Sequence, residues 1–341
     1  MSVLITSPSR LHFSLIDLNG ELGRVDGGIG VALNEPSLKI EVSEVDNEVE
    51  LEENPKEVVS ILERIRSRIE PPLRGNYRVK MLRKLPSHAG LGSQTQLSLS
   101  VAKAISVLEN RNYNVVELAK LVGRGGTSGI GTAAFAKGGF ILDGGHVFRA
   151  SEAGVKEEKE SGNTKTKTSF LPSSASKVSP PPILFQHTMP ENWFFVVAVP
   201  EVKRGAHGLE EIEIFKRYCP IKSGEVEKIC RITLMRILPS VLEKDIFTFA
   251  TSLTMLQKVG FKKKEVELQH GIIKELFRFF DTHALGHGMS SFGPATYAIV
   301  EGEKRAKELA ADTKAFLDEK EIRALVTYSN VDNKGSEVDY S

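Results

Sequence analysis

Apolar and polar residues alternate at two places in the first third of the chain. Tyr77, Val79 and Met81 interleave with Arg78 and Lys80, and Lys39-Ile40-Glu41-Val42 keeps the same period. A repeat of two belongs to a half-buried strand. Between these stretches Val58, Ile61, Leu62, Ile65 and Ile69 recur at helical spacing, and Pro71-Pro72 stops the pattern. Leu97, Val101, Ile105 and Leu108 form a second apolar stripe, on a helix that begins in the glycine-bearing stretch at Gly90. Further on, a strand is predicted from Trp193 to Val199. Two helix faces follow, Val226/Cys230/Leu234/Leu238 and Ile246/Phe249/Leu253/Leu256, then a helix near Val266 to Phe280. Strands at Thr296 to Val300 and Arg323 to Tyr328 flank a last helix, about Glu303 to Leu317. This order predicts α+β or mixed α/β architecture. There is no internal repeat.

Residues 151 to 182 break the pattern: 23 of the 32 are Ser, Lys, Thr, Glu or Pro, which predicts a mobile insertion or linker. One less polar island, Phe170 to Ser176, is a candidate for docking. The chain therefore divides into residues 1–150, the insertion 151–182, and residues 183–341. A chain of 341 residues fits about two domains, and 40% hydrophobic content supplies real cores. Lys plus Arg number 45 against 44 for Asp plus Glu, so nothing favours a nucleic-acid or membrane-surface partner. No apolar run is long enough to span a membrane and no signal peptide is visible, so a cytoplasmic location is expected. Cys219 and Cys230 are too few for a disulfide framework and read as plain buried thiols.

The candidate chemistry lies in the loops. Pro86-Ser87-His88-Ala89-Gly90-Leu91-Gly92-Ser93-Gln94-Thr95 links a strand to a helix. Glycines let the backbone approach a ligand, and the helix start offers unpaired N–H groups at its positive end, so phosphate or diphosphate fits. Pro, three residues, then Gly-Leu-Gly-Ser resembles the second motif of the GHMP superfamily of small-molecule kinases. Ser7-Pro8-Ser9-Arg10-Leu11-His12 resembles the first motif, and Met289 to Tyr297, with Ser290, Ser291 and Gly293, the third. The resemblance implies an α+β N-terminal domain with a left-handed crossover and a ferredoxin-like C-terminal domain. It also implies an ATP-dependent kinase as one reading of function. Against that, the position where several such kinases carry a catalytic Asp is Gly131, which cannot move a proton, and Gln94 replaces a phosphate-loop serine.

Three stretches resemble one branch more closely, the archaeal β-ribofuranosylaminobenzene 5′-phosphate synthases of methanopterin biosynthesis. They are Ser9 to Phe13 through Gly23-Arg24-Val25-Asp26-Gly27-Gly28; Arg124 to Gly131; and Leu171 to Ser176. The resemblance implies condensation of phosphoribosyl diphosphate with 4-aminobenzoate, with loss of CO₂ and diphosphate. It further implies Mg²⁺, no organic cofactor, and a homodimer; the metal ligands are not readable. Departure of diphosphate leaves a cationic sugar carbon, which calls for cations and N–H donors on the leaving group and a carboxylate near the sugar. Expected substrate-binding residues are Arg10, His12, Arg24, Gly90, Leu91, Gly92, Ser93, Gln94, Thr95, Ser290, Ser291 and Gly293. Expected catalytic residues are Asp17, Asp26, Lys84 and Arg124, with Lys203 and Arg204 as further cations. Arg10 or Arg24 suits a carboxylate through its planar fork.

Bland readings stand beside these. Arg10 and Arg24 could be surface ion-pair residues. Asp17 and Asp26 flank a Gly- and Asn-rich loop, where making turns is an equal use for Asp. Asp143 before Gly144-Gly145 reads as a hairpin residue. His283 and His287 are four apart, as zinc ligands can be, but Gly286 interrupts them and a loop is the better reading. A non-catalytic phosphometabolite-binding protein on the same fold remains the alternative from another class.

Overall fold

The computed structural model describes residues 2–45, 54–149, 166–172, 175–176, 178–202 and 208–340. The chain opens on one long hairpin, β1 (Ser2–Asp17) and β2 (Arg24–Val45), paired antiparallel from Ser2↔Ser43 to Asp17↔Asp26. Strand β3 (Asn76–Arg83) pairs with the far half of β2, and β4 (Phe140–Asp143) with its near half. Helices α1 (Lys56–Arg66), α2 (Ser93–Leu108), α3 (Val115–Val122) and α4 (Ile130–Lys137) lie in this half. α1 buries Val58, Ile61, Leu62 and Ile65, the face its spacing predicts. α2 is buried almost all round, from Gln96 to Ser106, the signature of a central helix. Asn114 and Glu117 form a capping box at the start of α3, and Gly123 ends that helix in the left-handed conformation.

The second half contributes β8 (Trp193–Pro200), β9 (Gly286–Met289), β10 (Thr296–Glu301) and β11 (Ala324–Asn330). They form an antiparallel sheet in the order β11-β8-β10-β9, the 4-1-3-2 arrangement of a ferredoxin-like unit. Helices α5 (Leu209–Tyr218), α6 (Ser223–Ile232), α7 (Leu238–Glu243), α8 (Ile246–Leu256), α9 (Gly260–Glu267), α10 (Gly271–His283) and α11 (Glu303–Glu319) complete it. One turn of π-helix, Thr233–Ile237, joins α6 to α7 just ahead of Pro239. Proline has no N–H for the ladder, which favours such a shift. The single helix expected over Val266 to Phe280 is two. Leu268–His270 breaks it, and the His270 ring accepts from the Ile272 N–H to start α10.

Two corrections concern the boundaries. β7 (Ile183–His187) pairs with β4, and β12 (Glu337–Tyr340) with β1, so both ends of the 183–341 segment belong to the first sheet. Phe13, Phe140, Trp193, Phe195, Phe249 and Tyr297 sit in one apolar cluster that runs across both halves. The described end of the insertion is not a free linker either. β6 (Thr166–Lys167) pairs with β5 (His146–Phe148), and the Phe170 ring packs 4.9 Å from that of Phe148. The island around Phe170 docks, as its composition suggested.

Candidate active site

The α2 N-terminus is the centre of the site. Its N-cap is Gly92 at φ +80°, and no side chain caps the helix. The first N–H groups of α2 therefore lack an intrahelical or capping partner, at the positive end of a helix that is 16 residues long. Gly90, at φ +86°, is a residue that only glycine suits. An added Cβ there would meet the carbonyl of Ser290, whose carbon would lie 3.2 Å away, so the second and third motifs touch at this point.

The third motif buttresses the loop. Ser290 donates from Oγ to the Gly90 carbonyl at 2.6 Å and accepts from the His12 N–H at 2.9 Å. The Ser290, Ser291 and Gly293 N–H groups donate to Ala295, His12 and Ser290 carbonyls, and Ala295 N–H donates to Ala89. The backbone N–H groups of Ser290, Ser291 and Gly293, expected as substrate donors, are thus taken by protein carbonyls. Leu91 is also corrected: its side chain is buried in the core, and its carbonyl accepts from Arg10 N–H at 3.1 Å.

Arg10 lies beneath the loop and its guanidinium donates to the Gly90 carbonyl. Burial pushes its pKa down to about 10, with Glu211 and Glu265 opposing that drift, so it remains a cation at neutral pH. His12 is 7% exposed and its Nδ1 has no partner. Burial, then the Arg10 and Lys262 charges, hold its pKa well below the ordinary value, so the ring is neutral. Lys262, wholly buried, ion-pairs with Glu265 and donates to the Ser291 carbonyl at 3.0 Å. Glu211 is pushed up to about 7, first by burial and then by Glu265.

On the other side stands Arg124. Its guanidinium donates to Gln94 Oε1 at 3.2 Å, while Nε is buried without a partner. Burial lowers its pKa to about 10, and the charge of a second cation, Arg64, acts in the same direction. A desolvated guanidinium beside an uncapped helix start is a receptor for an anion. Lys84 is exposed and lines a small open cleft together with Glu57, Ser87, Ser93 and Gln94. Thr95 faces the start of α4: a Cβ on Gly131 would lie 3.0 Å from its methyl, and Gln96 donates to the Gly131 carbonyl at 2.9 Å. A side chain at Gly131 would press on the Thr95 methyl, and glycine itself brings no acid to this position.

The acidic candidates change role. Asp17 Oδ1 accepts from the Asn19 and Gly20 N–H groups at 2.7 and 3.2 Å, which is a turn. Asp26 is buried at 1% exposure, accepting from Lys167 Nζ at 2.9 and 3.1 Å and paired with His146 Nδ1 at 2.6 Å. Both its oxygens are held by protein cations or donors, so it does not face a sugar. Arg24 is corrected as well: it donates to the Gly144 and Gly145 carbonyls and braces the β4–β5 turn. Asp143 does more than turn a hairpin. It is fully buried and accepts from Gly129 N–H at 2.8 Å, Gly145 N–H at 3.0 Å and Ser128 Oγ at 3.3 Å. Burial raises its pKa to about 6.

Several of these residues carried no legible signal. Lys167 lies in a Lys/Thr repeat, and Lys262 and Glu265 in a charge run that resembles a solvated helix face. Lys203, Arg204, Ser173 and Ser174 lie outside the described residues. His283 stacks on Phe279, while His287 binds Asp281 at 2.9 Å. No group of three metal-ligating side chains occurs among the described residues. Cys219 is partly buried, but Cys230 is exposed rather than buried.

Relatives decide the family. The chain is 43% identical over 317 residues to a β-ribofuranosylphenol 5′-phosphate synthase of Methanocaldococcus jannaschii, covering 89% of this chain and 90% of the relative. The synthase of the same name from Archaeoglobus fulgidus is 38% identical over 342 residues, 98% of this chain and 99% of that one. The chain belongs to the β-ribofuranosylphenol 5′-phosphate synthase family. It is therefore an enzyme, on a GHMP-type scaffold: the GHMP kinases N terminal domain profile matches residues 56–139. Homoserine kinase from Cytophaga hutchinsonii superposes with a TM-score of 0.64 at 15% identity, covering 99% of this chain and 97% of that one. The mevalonate kinase of Methanococcus jannaschii gives 0.60 at 14% identity, over 96% and 98%. At such identities these two share the fold. Among the described residues, no helix is long and apolar enough to cross a membrane.

Proposed function

We propose that this synthase joins the anomeric carbon of phosphoribosyl diphosphate to the carboxylate-bearing ring carbon of a 4-substituted benzoate. The C–O bond to diphosphate breaks, the C–C bond forms, and CO₂ leaves with its bonding pair going to the ring. Atoms and charge balance without an oxidant. The para substituent is an amine, as 4-aminobenzoate supplies, or the hydroxyl that the relatives' phenol name implies. Both push electrons toward the attacking carbon, so the chemistry is shared.

One observation carries the reading: an uncapped helix start at Gly92 lies between two desolvated guanidiniums, Arg10 and Arg124, while the position of a kinase's acid is Gly131, which has no side chain to move a proton. Donors of this kind stabilise a departing diphosphate and leave an accepting hydroxyl without a base. Mg²⁺ is part of the proposal. Glu57, Ser87 and Ser93 around the adjoining cleft offer the one carboxylate and the hydroxyls that a phosphate-borne Mg²⁺ takes. When bound it would neutralise charge developing on the diphosphate. The homodimer belongs to the same proposal and is read by light scattering. Diphosphate release measured with phosphoribosyl diphosphate and each arene tests the function. Robust ATP-dependent phosphorylation of homoserine, mevalonate or a sugar would overturn it.

A further inference from the structure

The glycines of Arg124-Gly125-Gly126-Thr127-Ser128-Gly129 are required by something other than a ligand. A Cβ on Gly125 would lie 2.6 Å from Pro180, one on Gly126 2.7 Å from the Ser176 carbonyl oxygen, and one on Gly129 3.1 Å from Pro181. The described residues of the strap, 166–172, 175–176 and 178–182, therefore lie directly on this loop. Thr127 Oγ1 donates to the Leu171 carbonyl at 2.8 Å, and His146 Nε2 contacts the Ser179 carbonyl at 3.0 Å. The strap in turn is fastened by one buried ammonium. Lys167 Nζ, 4% exposed, reaches both oxygens of Asp26, the Leu171 carbonyl at 3.1 Å and Thr127 Oγ1 at 3.4 Å. The strap backbone adds the two-residue strand β6, an N–H from Arg149 to the Lys167 carbonyl and one from Gly144 to the Pro182 carbonyl.

We propose that Lys167 is a positioning residue: by fixing the strap on the glycine loop it holds Arg124 against the phosphate loop for the anionic group. The inference rests on the assignment of Arg124 to diphosphate in the proposed function. Burying an ammonium and a carboxylate is expensive unless both are fully bonded, as here. That expenditure is made where β5, the strap and the loop converge, and Arg124 begins the same loop. Arg124 itself is held by its backbone N–H, which donates to the Ala119 carbonyl at 2.8 Å, and by the guanidinium bond to Gln94. A loop released at Thr127 would let the guanidinium drift from an anion that a fork must meet squarely.

The test is a double-mutant cycle read by calorimetry with inorganic diphosphate on the full chain. Arg124→Met is expected to raise the diphosphate Kd about tenfold or more, the loss of a charge-assisted bond. Lys167→Met should raise it similarly, and the double variant no further than Arg124→Met alone. Thr127→Val cuts the strap from the loop without stranding the Asp26 charge, and should weaken diphosphate in the same direction if Lys167→Met fails to fold. Lys167→Arg should restore part of the affinity. Additive effects in the double variant, or unchanged affinity in folded Thr127→Val, would overturn the positioning role. Unchanged affinity in Arg124→Met would instead remove the underlying assignment of that residue.

Discussion

Replacing Gly90 by Ala tests whether the second and third motifs form one anion receptor. The added methyl would be driven into the Ser290 carbonyl, with its carbon at 3.2 Å and the Gly293 nitrogen at 3.6 Å. The loops must separate, and the Ser290 Oγ–Gly90, Arg10–Gly90 and Ala295–Ala89 hydrogen bonds lie on the seam. Holding alanine at φ +86° costs about 1–2 kcal/mol by itself. Losing one buried polar contact at the seam adds about 1–3 kcal/mol. Gly302 supplies a comparison without the clash: its φ is +84° with ψ 139°, and a Cβ there would meet nothing within 4 Å. Urea unfolding of Gly302→Ala should thus show only the backbone cost, and Gly90→Ala clearly more. In calorimetry, Gly90→Ala should also weaken diphosphate binding, while Gly302→Ala should not. Equal stability losses in the two variants, with wild-type diphosphate affinity in Gly90→Ala, would refute the braced-loop account.

Other consequences are separable. Asp143 has a folded pKa near 6, above the ordinary carboxylate value near 4, so the fold holds its proton more tightly than the unfolded chain does. Its stabilising contribution is therefore full below about pH 4 and is lost as pH rises through about 6, by roughly 3 kcal/mol. Asp143→Asn should flatten that part of the stability–pH curve, and an unchanged slope would contradict the assignment. Glu211, raised to about 7, should give an activity limb near that pH if its ionised form supports the cationic sugar, and Glu211→Gln should abolish the limb. Arg24→Lys should lower thermal stability through the β4–β5 turn and leave the arene KM unchanged; a raised KM would return it to the substrate. Gly131→Asp should not create kinase activity, and an ATP-dependent phosphorylation by that variant would show that the missing acid alone separates the chemistries.

What could be read in the sequence follows from which signals are local. The α1 stripe, the strands at Val79 and Trp193, and the loop from Gly90 into α2 are periodicities or turns confined to a few residues, and each recurs in the structure. The pairing of β7 and β12 with the first sheet depends on contacts more than 40 residues apart, as in Phe140↔His187 and Val3↔Tyr340. No local pattern encodes it. The same holds at the site. Arg10 and Arg124 sit within glycine-rich stretches and were legible as candidates. Lys167 and Asp26 are 141 positions apart, and each alone resembles an ordinary surface charge. Gly92→Val is not a clean probe of ligand binding. Its Cβ would lie 2.9 Å from Arg10 Cγ, at φ +80°, so the change would disturb the brace as well as the ligand.

The central claim is that arene decarboxylation waits for bond formation to the sugar. Carboxyl-labelled 4-aminobenzoate and 4-hydroxybenzoate, each incubated with enzyme and Mg²⁺, with and without phosphoribosyl diphosphate, test it directly. With the donor, one of these arenes should release labelled CO₂ in equal amount to diphosphate, and without the donor neither should release any. Donor-independent release, or a ribosylated product that keeps the label, would contradict the account.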